Sequence, residues 1–314
     1  MRDRDKIKSC NILKNKTMYM VILMTMYSSE LFAANPIITG SKIDTESILL
    51  CQIANIALQN KGLLIKDKCG TGVTQVVRKA LLEGEIDLYP EYTGNAQYII
   101  KDFKINSKDP ETVYQSIHNT DLKQNKIAWL RPAPANNTFA IAITQQLSKT
   151  QNIKSISDLA NYIQSGKHLK LIASYEFVTR KDGLKAFETK YNFKLKPKQL
   201  IMIPGGNTAQ TETALARGLN QINAAMAYST DGQLSALNLI SLTDRLGAQE
   251  VYQPAITIRA PVLADHPEIK TILEPIFATL STAKLSELNA KIVVKGQNPQ
   301  KVAEQYLKDI KIIK

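Results

Sequence analysis

The chain has 314 residues, long enough for more than one hydrophobic core, and its 44% hydrophobic and 22% charged content is that of an ordinary globular protein. That composition excludes disordered, collagenous and disulfide-scaffold classes. The formal net charge of +12 raises nucleic acid as a partner, but the lysines are scattered and no basic run is interleaved with aromatics, so the excess reads as a solvated surface. His118, His168 and His266 stand far apart, and no Cys/His spacing suits a metal.

Residues 1–34 have the pattern of a secretory signal peptide. Six Lys/Arg against three acidic residues contribute +3 of the +12, the basic residues precede an apolar run from Met18 to Tyr27, and the small pair Ala33-Ala34 follows. The run falls short of the roughly 20 residues that a membrane-spanning helix needs. Cleavage there leaves a mature chain starting near Asn35, exported to the periplasm. Cys51 and Cys69 are then the remaining cysteines. An even pair in an exported chain points to a disulfide, while the apolar helical spacing around Cys51 suits buried thiols equally well, and both readings stay open.

The mature chain opens with a strand over 36–40, followed by a helix from about 45 in which Ile48, Leu49, Ile53, Ile56 and Ala57 recur at helical spacing. Asp44 or Thr45 supplies its N-cap. A short strand over 63–66 leads to the glycine-bearing stretch 70–74, which opens a helix over 75–82. A strand-like run, 85–89, is expected to stop at Pro90, which lacks an N–H for a ladder, and Gly94 is expected to let the chain turn tightly after Tyr92. A helical region near 114–118, a strand at 127–130 and a long apolar β-run over 136–143 follow. Beyond it come a helix after 156–158, a strand over 169–173, a helix around 181–191, the loop 205–208, a helix over 209–218, strands at 224–228 and 239–242, a further strand over 252–258, and three closing helices. Strands alternating with helices in this way make an α/β fold.

Tyr89-Pro90-Glu91-Tyr92-Thr93-Gly94 closely resembles the signature of the substrate-binding proteins of osmoprotectant ABC importers, which take up glycine betaine, choline, carnitine and similar quaternary amines. The resemblance runs from Ile38 to about Leu307 through Gly40-Ser41-Lys42, Val76-Val77-Arg78-Lys79-Ala80-Leu81, Asn136-Asn137-Thr138-Phe139, Glu176-Phe177, Met226 to Gly232, and Tyr252-Gln253-Pro254-Ala255. It implies a two-lobed periplasmic binding protein fold of type II, with lobe 1 formed by 35–140 plus 249–314, lobe 2 by 141–248, and two strand crossings at the hinge. It also implies a monomer that binds a small quaternary amine and presents it to permease subunits in the inner membrane, with no cofactor, no metal and no nucleic acid.

A quaternary ammonium donates no ordinary hydrogen bond, so a pocket recognises it with the faces of aromatic rings. By resemblance the aromatic cage maps to Tyr92, Phe139, Tyr228 and Tyr252. Relatives commonly carry Tyr or Trp at position 139, so Phe139 keeps the π face and loses the polar handle. A carboxylate on the ligand needs N–H donors. The resemblance points to Lys42, Asn95 and Arg180 for that end, Asn95 standing where Thr is common, and to the Asn137 carbonyl for the ammonium methyls. The loop Gly205-Gly206-Asn207-Thr208 is either an anion-binding helix start or a simple turn. No Gly-x-Ser-x-Gly elbow, Walker loop or zinc motif appears, and Gly70-x-Gly72 does not extend to a dinucleotide fingerprint, so an enzyme is not expected. The same fold holding choline, or a different small metabolite such as an amino acid, is the alternative.

Overall fold

Short apolar strands alternate with capped helices along residues 35–314, the part of the chain that the computed structural model describes. The signal peptide expected over 1–34 lies outside the described residues. Ten strands, β1 (Ile37–Lys42), β2 (Ile65–Gly72), β3 (Leu88–Tyr92), β4 (Ile127–Trp129), β5 (Phe139–Thr144), β6 (Leu171–Ser174), β7 (Leu200–Ile203), β8 (Ala224–Tyr228), β9 (Leu239–Ser241) and β10 (Pro254–Arg259), form two five-stranded sheets.

Both sheets follow one plan. The first has the order β2-β1-β3-β10-β4 and the second β7-β6-β8-β5-β9. In the first, β1 is parallel to β2 and β3 while β10 runs antiparallel to β3 and β4. In the second, β6 is parallel to β7 and β8 while β5 runs antiparallel to β8 and β9. The reversed strand is in each case the first one made after the chain arrives from the other sheet. This is the two-lobed α/β plan of the type II periplasmic binding proteins. The two crossing segments lie side by side: Leu130 N–H donates to Ile256 O (2.9 Å), Ala133 N–H to Pro254 O (2.8 Å) and Asn137 N–H to Tyr252 O (2.8 Å). Tyr252 N–H returns a bond to Asn136 Oδ1 at 2.8 Å.

Local chemistry accounts for the boundaries. Asp44 is the N-cap of α1 (Thr45–Asn60), its carboxylate accepting Ser47 N–H at 2.9 Å. The glycines at 70 and 72, expected to open the helix that follows, lie instead in the second half of β2, where Ser41 Oγ accepts Gly70 N–H at 2.8 Å. α2 (Thr74–Glu83) then ends at Gly84, whose left-handed φ of 76° closes the helix. Its Arg78 is buried and forms a forked pair with Asp121 at 3.0 and 2.5 Å, and Trp129 Nε1 donates to the same carboxylate at 2.7 Å. Part of the sequence resemblance is thus a clamp that joins α2, the helix Pro110–Asn125 and β4.

Pro90 does not stop its strand. β3 runs through it to Tyr92, with Pro90 opposite Ile256 on β10. Arg259 N–H bonds Asp87 O, and Thr93 N–H bonds Gln253 O. The odd-numbered residues of β3 therefore make the ladder bonds to β10. Pro90 faces the other side, where β1 pairs only at Thr39↔Leu88, so its missing N–H leaves no ladder bond unmade. Gly94 serves close approach and not a positive φ: a Cβ there would lie 2.5 Å from the Tyr252 ring.

Cys51 on α1 and Cys69 on β2 are joined by a disulfide across a sequence separation of 18. A closed loop of that size contributes about 3 kcal/mol through lost chain entropy in the unfolded state. Chemical denaturation with and without reductant is expected to separate by that amount; coincident curves would show that the bond closes a loop already ordered when unfolded.

Candidate functional site

In open α/β sheets, ligands bind beyond the carboxyl ends of the parallel strands. Here Lys42 ends β1, Tyr92 ends β3 and Tyr228 ends β8, while Phe139 opens the antiparallel β5 and Tyr252 stands two residues before the antiparallel β10. These ends surround one cavity with about 520 Å3 of free space, counting its mouth. All eight residues expected from the sequence, Lys42, Tyr92, Asn95, Asn137, Phe139, Arg180, Tyr228 and Tyr252, line it. Ile43, Asp44, Val73, Thr74, Glu176 and Gly206 complete the wall.

The rings fall into two groups. Phe139 is the centre of the first: its ring stacks on Tyr228 with centroids 5.4 Å apart and planes at 24°, and meets Tyr252 edge-on at 5.8 Å. Phe177, outside the wall, backs it at 5.1 Å. Tyr92 stands apart, with the Lys42 ammonium over its face, 4.2 Å from the centroid. Burial first, and then neighbouring carboxylates, push the Tyr92 and Tyr228 phenols well above their ordinary pKa. Burial does the same at Tyr252, against the opposing pull of Arg180. The rings therefore stay neutral.

Beneath the rings lies a polar frame that sequence reasoning missed. Glu91 is fully buried and accepts four donors: Lys42 Nζ at 3.0 Å, Tyr89 Oη at 3.0 Å, Tyr92 N–H at 2.8 Å and Asn95 Nδ2 at 2.7 Å. Burial alone would raise its pKa, but the Lys42 ammonium and the Asn95 and Tyr92 donors outweigh it and hold the carboxylate below its ordinary value. Glu46, in the first turn of α1, accepts Tyr92 Oη (2.9 Å), Asn137 Nδ2 (2.8 Å) and Asn289 Nδ2 (2.7 Å). Burial pushes its pKa up to about 7. With its nitrogen committed to Glu46, Asn137 keeps a buried Oδ1 that has no hydrogen-bond partner.

Arg180 comes from lobe 2 and is 5% exposed. It bonds Asp182 at 2.8 and 2.5 Å, Glu176 at 3.2 Å and, across the cleft, Asn95 Oδ1 at 2.8 Å. Its guanidinium lies 4.3 Å from the Tyr98 ring and 5.4 Å from the Phe139 ring. Asp182 also accepts Tyr252 Oη at 3.0 Å. The three residues expected for a ligand carboxylate are therefore together, but each is already tied to the protein. The start of α2 offers a further donor set, for Val73 gives it no side-chain cap and Thr74 lies in the wall. The loop at 205–208 is self-capped: Asn207 Oδ1 accepts Ala209 N–H, and Gly206 faces the cavity.

Neither Ser, Cys nor His lines the cavity among the described residues. The arrangement offers neutral rings, fixed carboxylates and N–H donors, and no nucleophile with a base.

The profile of the family described as the substrate-binding domain of ABC-type glycine betaine transport systems (OpuAC) matches residues 35–309. The chain is 43% identical over 289 residues to the glycine betaine-binding protein YehZ of Escherichia coli (strain K12), covering 92% of this chain and 95% of the relative. It is 29% identical to the glycine-betaine-binding protein of Pseudomonas aeruginosa, covering 90% of this chain and 91% of that one. The structure of apo YehZ from Escherichia coli superposes with a TM-score of 0.67, covering 89% of this chain and 100% of that chain.

Proposed function

The chain belongs to the family of substrate-binding domains of ABC-type glycine betaine transport systems, and on that premise we propose that its cavity holds the trimethylammonium head of a glycine betaine-like osmoprotectant against Phe139, Tyr228 and Tyr252. It is a transport component and not an enzyme. The observation that carries the reading is the Phe139-centred ring cluster beside the buried, unpartnered Asn137 Oδ1. Rings attract a desolvated cation by about 0.5–2 kcal/mol each, and the amide oxygen accepts the polarised methyl C–H groups. The ligand carboxylate points to Lys42 and the uncapped start of α2, with Asn95 and Arg180 closing the cleft over it. Tyr92 joins the cage when the ligand cation competes with Lys42 for its face. The protein works in the periplasm as a monomer, closing its lobes on the ligand and delivering it to the permease.

Choline is the second reading, and a specific observation favours it. Lys42 and Asn95 both donate to Glu91, and Arg180 already donates to Asp182, Glu176 and Asn95, which leaves few donors for a carboxylate.

Calorimetric titration of the chain from Asn35 onward with glycine betaine, choline, carnitine, proline betaine and arginine tests the proposal. Saturable binding of a quaternary amine and none of arginine is expected; the reverse would overturn the cage. Arg180→Gln is expected to weaken glycine betaine about tenfold and choline no more than about threefold, because a charge-assisted bond to a carboxylate contributes about 1.5–3 kcal/mol. Equal losses would assign Arg180 to lobe closure through Asn95 alone.

A further inference from the structure

Next to the ring cavity lies a second chamber, with about 330 Å3 of free space counting its opening, which shares Asp44, Asn137 and Tyr228 with the first. Its chemistry differs. Carboxyl groups face it from both lobes: Asp44 and Glu46 at the start of α1, Glu212 on the helix Thr208–Ala216, and Asp231 just after β8. No Lys, Arg or His lines it among the described residues.

Its polar groups have acceptors to spare. Asp231 accepts Thr208 Oγ1 at 2.9 Å and Tyr228 N–H at 2.6 Å, and Glu46 is held as described above. Glu212 is 0% exposed, and neither of its oxygens has a donor in good hydrogen-bond geometry, although the Asp231 carboxyl and the Gln233 amide lie beside it. Asn137 Oδ1 and Asn289 Oδ1 are likewise buried without a partner, their nitrogens being committed to Glu46. All of these unpartnered atoms belong to residues in the chamber wall and all are acceptors. A buried carboxylate without a counter-charge is strongly disfavoured, and the polar neighbours of Glu212 are the Asp231 carboxyl and the Gln233 amide. Burial, and for Glu212 the nearby Asp231, raise the pKa of both carboxyls, so the pair resists being charged together. A cation that brings several N–H groups answers Glu212, Asp231 and Asn289 Oδ1, while Asn137 Oδ1, on the wall shared with the ring cavity, stays with the quaternary head. No three of these carboxyls place an oxygen each within 4.8 Å of one another, so a carboxylate-only metal site is absent from the chamber among the described residues.

We propose that this chamber is a second cation subsite, which takes a protonated primary amine at the far end of a ligand whose quaternary head occupies the ring cage. The placement of the head rests on the function proposed above; the amine preference rests on Glu212 and its neighbours. The subsite distinguishes two kinds of cation by donor count, the cage taking the head without N–H groups and the chamber the head with three.

The test uses two probes of equal length, (3-aminopropyl)trimethylammonium and butyltrimethylammonium, titrated calorimetrically into the wild-type chain alongside glycine betaine. The amine is expected to bind at least about tenfold tighter than its butyl counterpart. Glu212→Gln is expected to abolish that preference and to leave glycine betaine affinity within about twofold, with thermal unfolding as the check that the variant is folded. Equal binding of the two probes by the wild type overturns the proposal whether or not the variant folds, and means that a proton shared by Glu212 and Asp231 fills the demand. A preference that survives in folded Glu212→Gln overturns it too. Failure of glycine betaine to bind, with the amine preference intact and lost in Glu212→Gln, would strike the cage reading and leave the chamber standing.

Discussion

Phe139→Ala is expected to weaken quaternary-amine binding at least tenfold, the largest loss of any single ring. Phe139 touches both other rings of its group, Tyr228 at 5.4 Å and Tyr252 at 5.8 Å. Its removal deletes one π face and frees the other two to turn. One desolvated cation–π contact amounts to up to about 2 kcal/mol, and loss of orientation in the remaining rings adds to it. Phe139 is also 6% exposed and packed on Phe177, so the fold will lose about 3 kcal/mol as well, as buried Phe→Ala changes do. The affinity must therefore be read by calorimetry at a temperature where circular dichroism shows the variant folded. Tyr175→Ala, at a tyrosine 62% exposed and outside the cavity wall, is the control and should bind as the parent does. An unchanged affinity in Phe139→Ala would remove the ring cluster from recognition and leave the polar frame as the site.

The rings were legible in the sequence because each stands inside a family-like motif, not because the strand pattern marked them. Lys42, Tyr92 and Tyr228 came from the resemblance alone, and the structure places all three at strand ends, where this architecture puts ligands. The polar frame was not legible in this way. Glu46 is bonded to Asn289, 243 residues further along, and nothing in the local pattern of either residue marks the pair. Glu91 was the exception, an acid inside an apolar strand between two tyrosines. Such a residue must be paired when buried, and that signal was available.

Two misreadings share a physical cause. Pro90 looked like a strand terminator because a proline lacks a donor, but whether the donor matters depends on which neighbour its side of the strand faces. Here that side has no pairing partner past Leu88. Gly94 looked like a turn residue because glycine tolerates positive φ, while its role is to admit the Tyr252 ring. Both depend on what lies across the fold: for Pro90 the end of the β1 pairing at Leu88, and for Gly94 the Tyr252 ring, about 160 residues away in sequence.

Raising the pH from 4.5 to about 7 is expected to cost the folded protein about 3 kcal/mol through Glu46 alone. In the folded chain burial keeps the Glu46 carboxyl protonated up to about pH 7, while in the unfolded chain it ionises near its ordinary 4.5. Between those values the folded state binds more protons than the unfolded, so stability falls as pH rises. Below 4.5 the contribution is fully present, and above about 7 it is gone. The displacement from 4.5 to about 7 corresponds to about 3 kcal/mol at 1.36 kcal/mol for each pH unit. Asp44 faces the same carboxyl and adds to the rise, while the Thr230 hydroxyl and the Asn289 and Tyr92 donors oppose it. Glu212 and Asp231, both raised, slope in the same direction, so the parent's total loss should exceed the Glu46 share. Urea denaturation at pH 4.5, 6 and 8 isolates that share by comparison with Glu46→Gln, which stays neutral throughout and keeps one carbonyl for Tyr92 and Asn137. Relative to the parent, the variant is expected to gain about 3 kcal/mol between pH 4.5 and 8, with most of the gain made by pH 7. Stability curves that stay parallel across that range would mean that Glu46 is ionised in the folded protein already at pH 4.5. The three donors around it would then outweigh its burial.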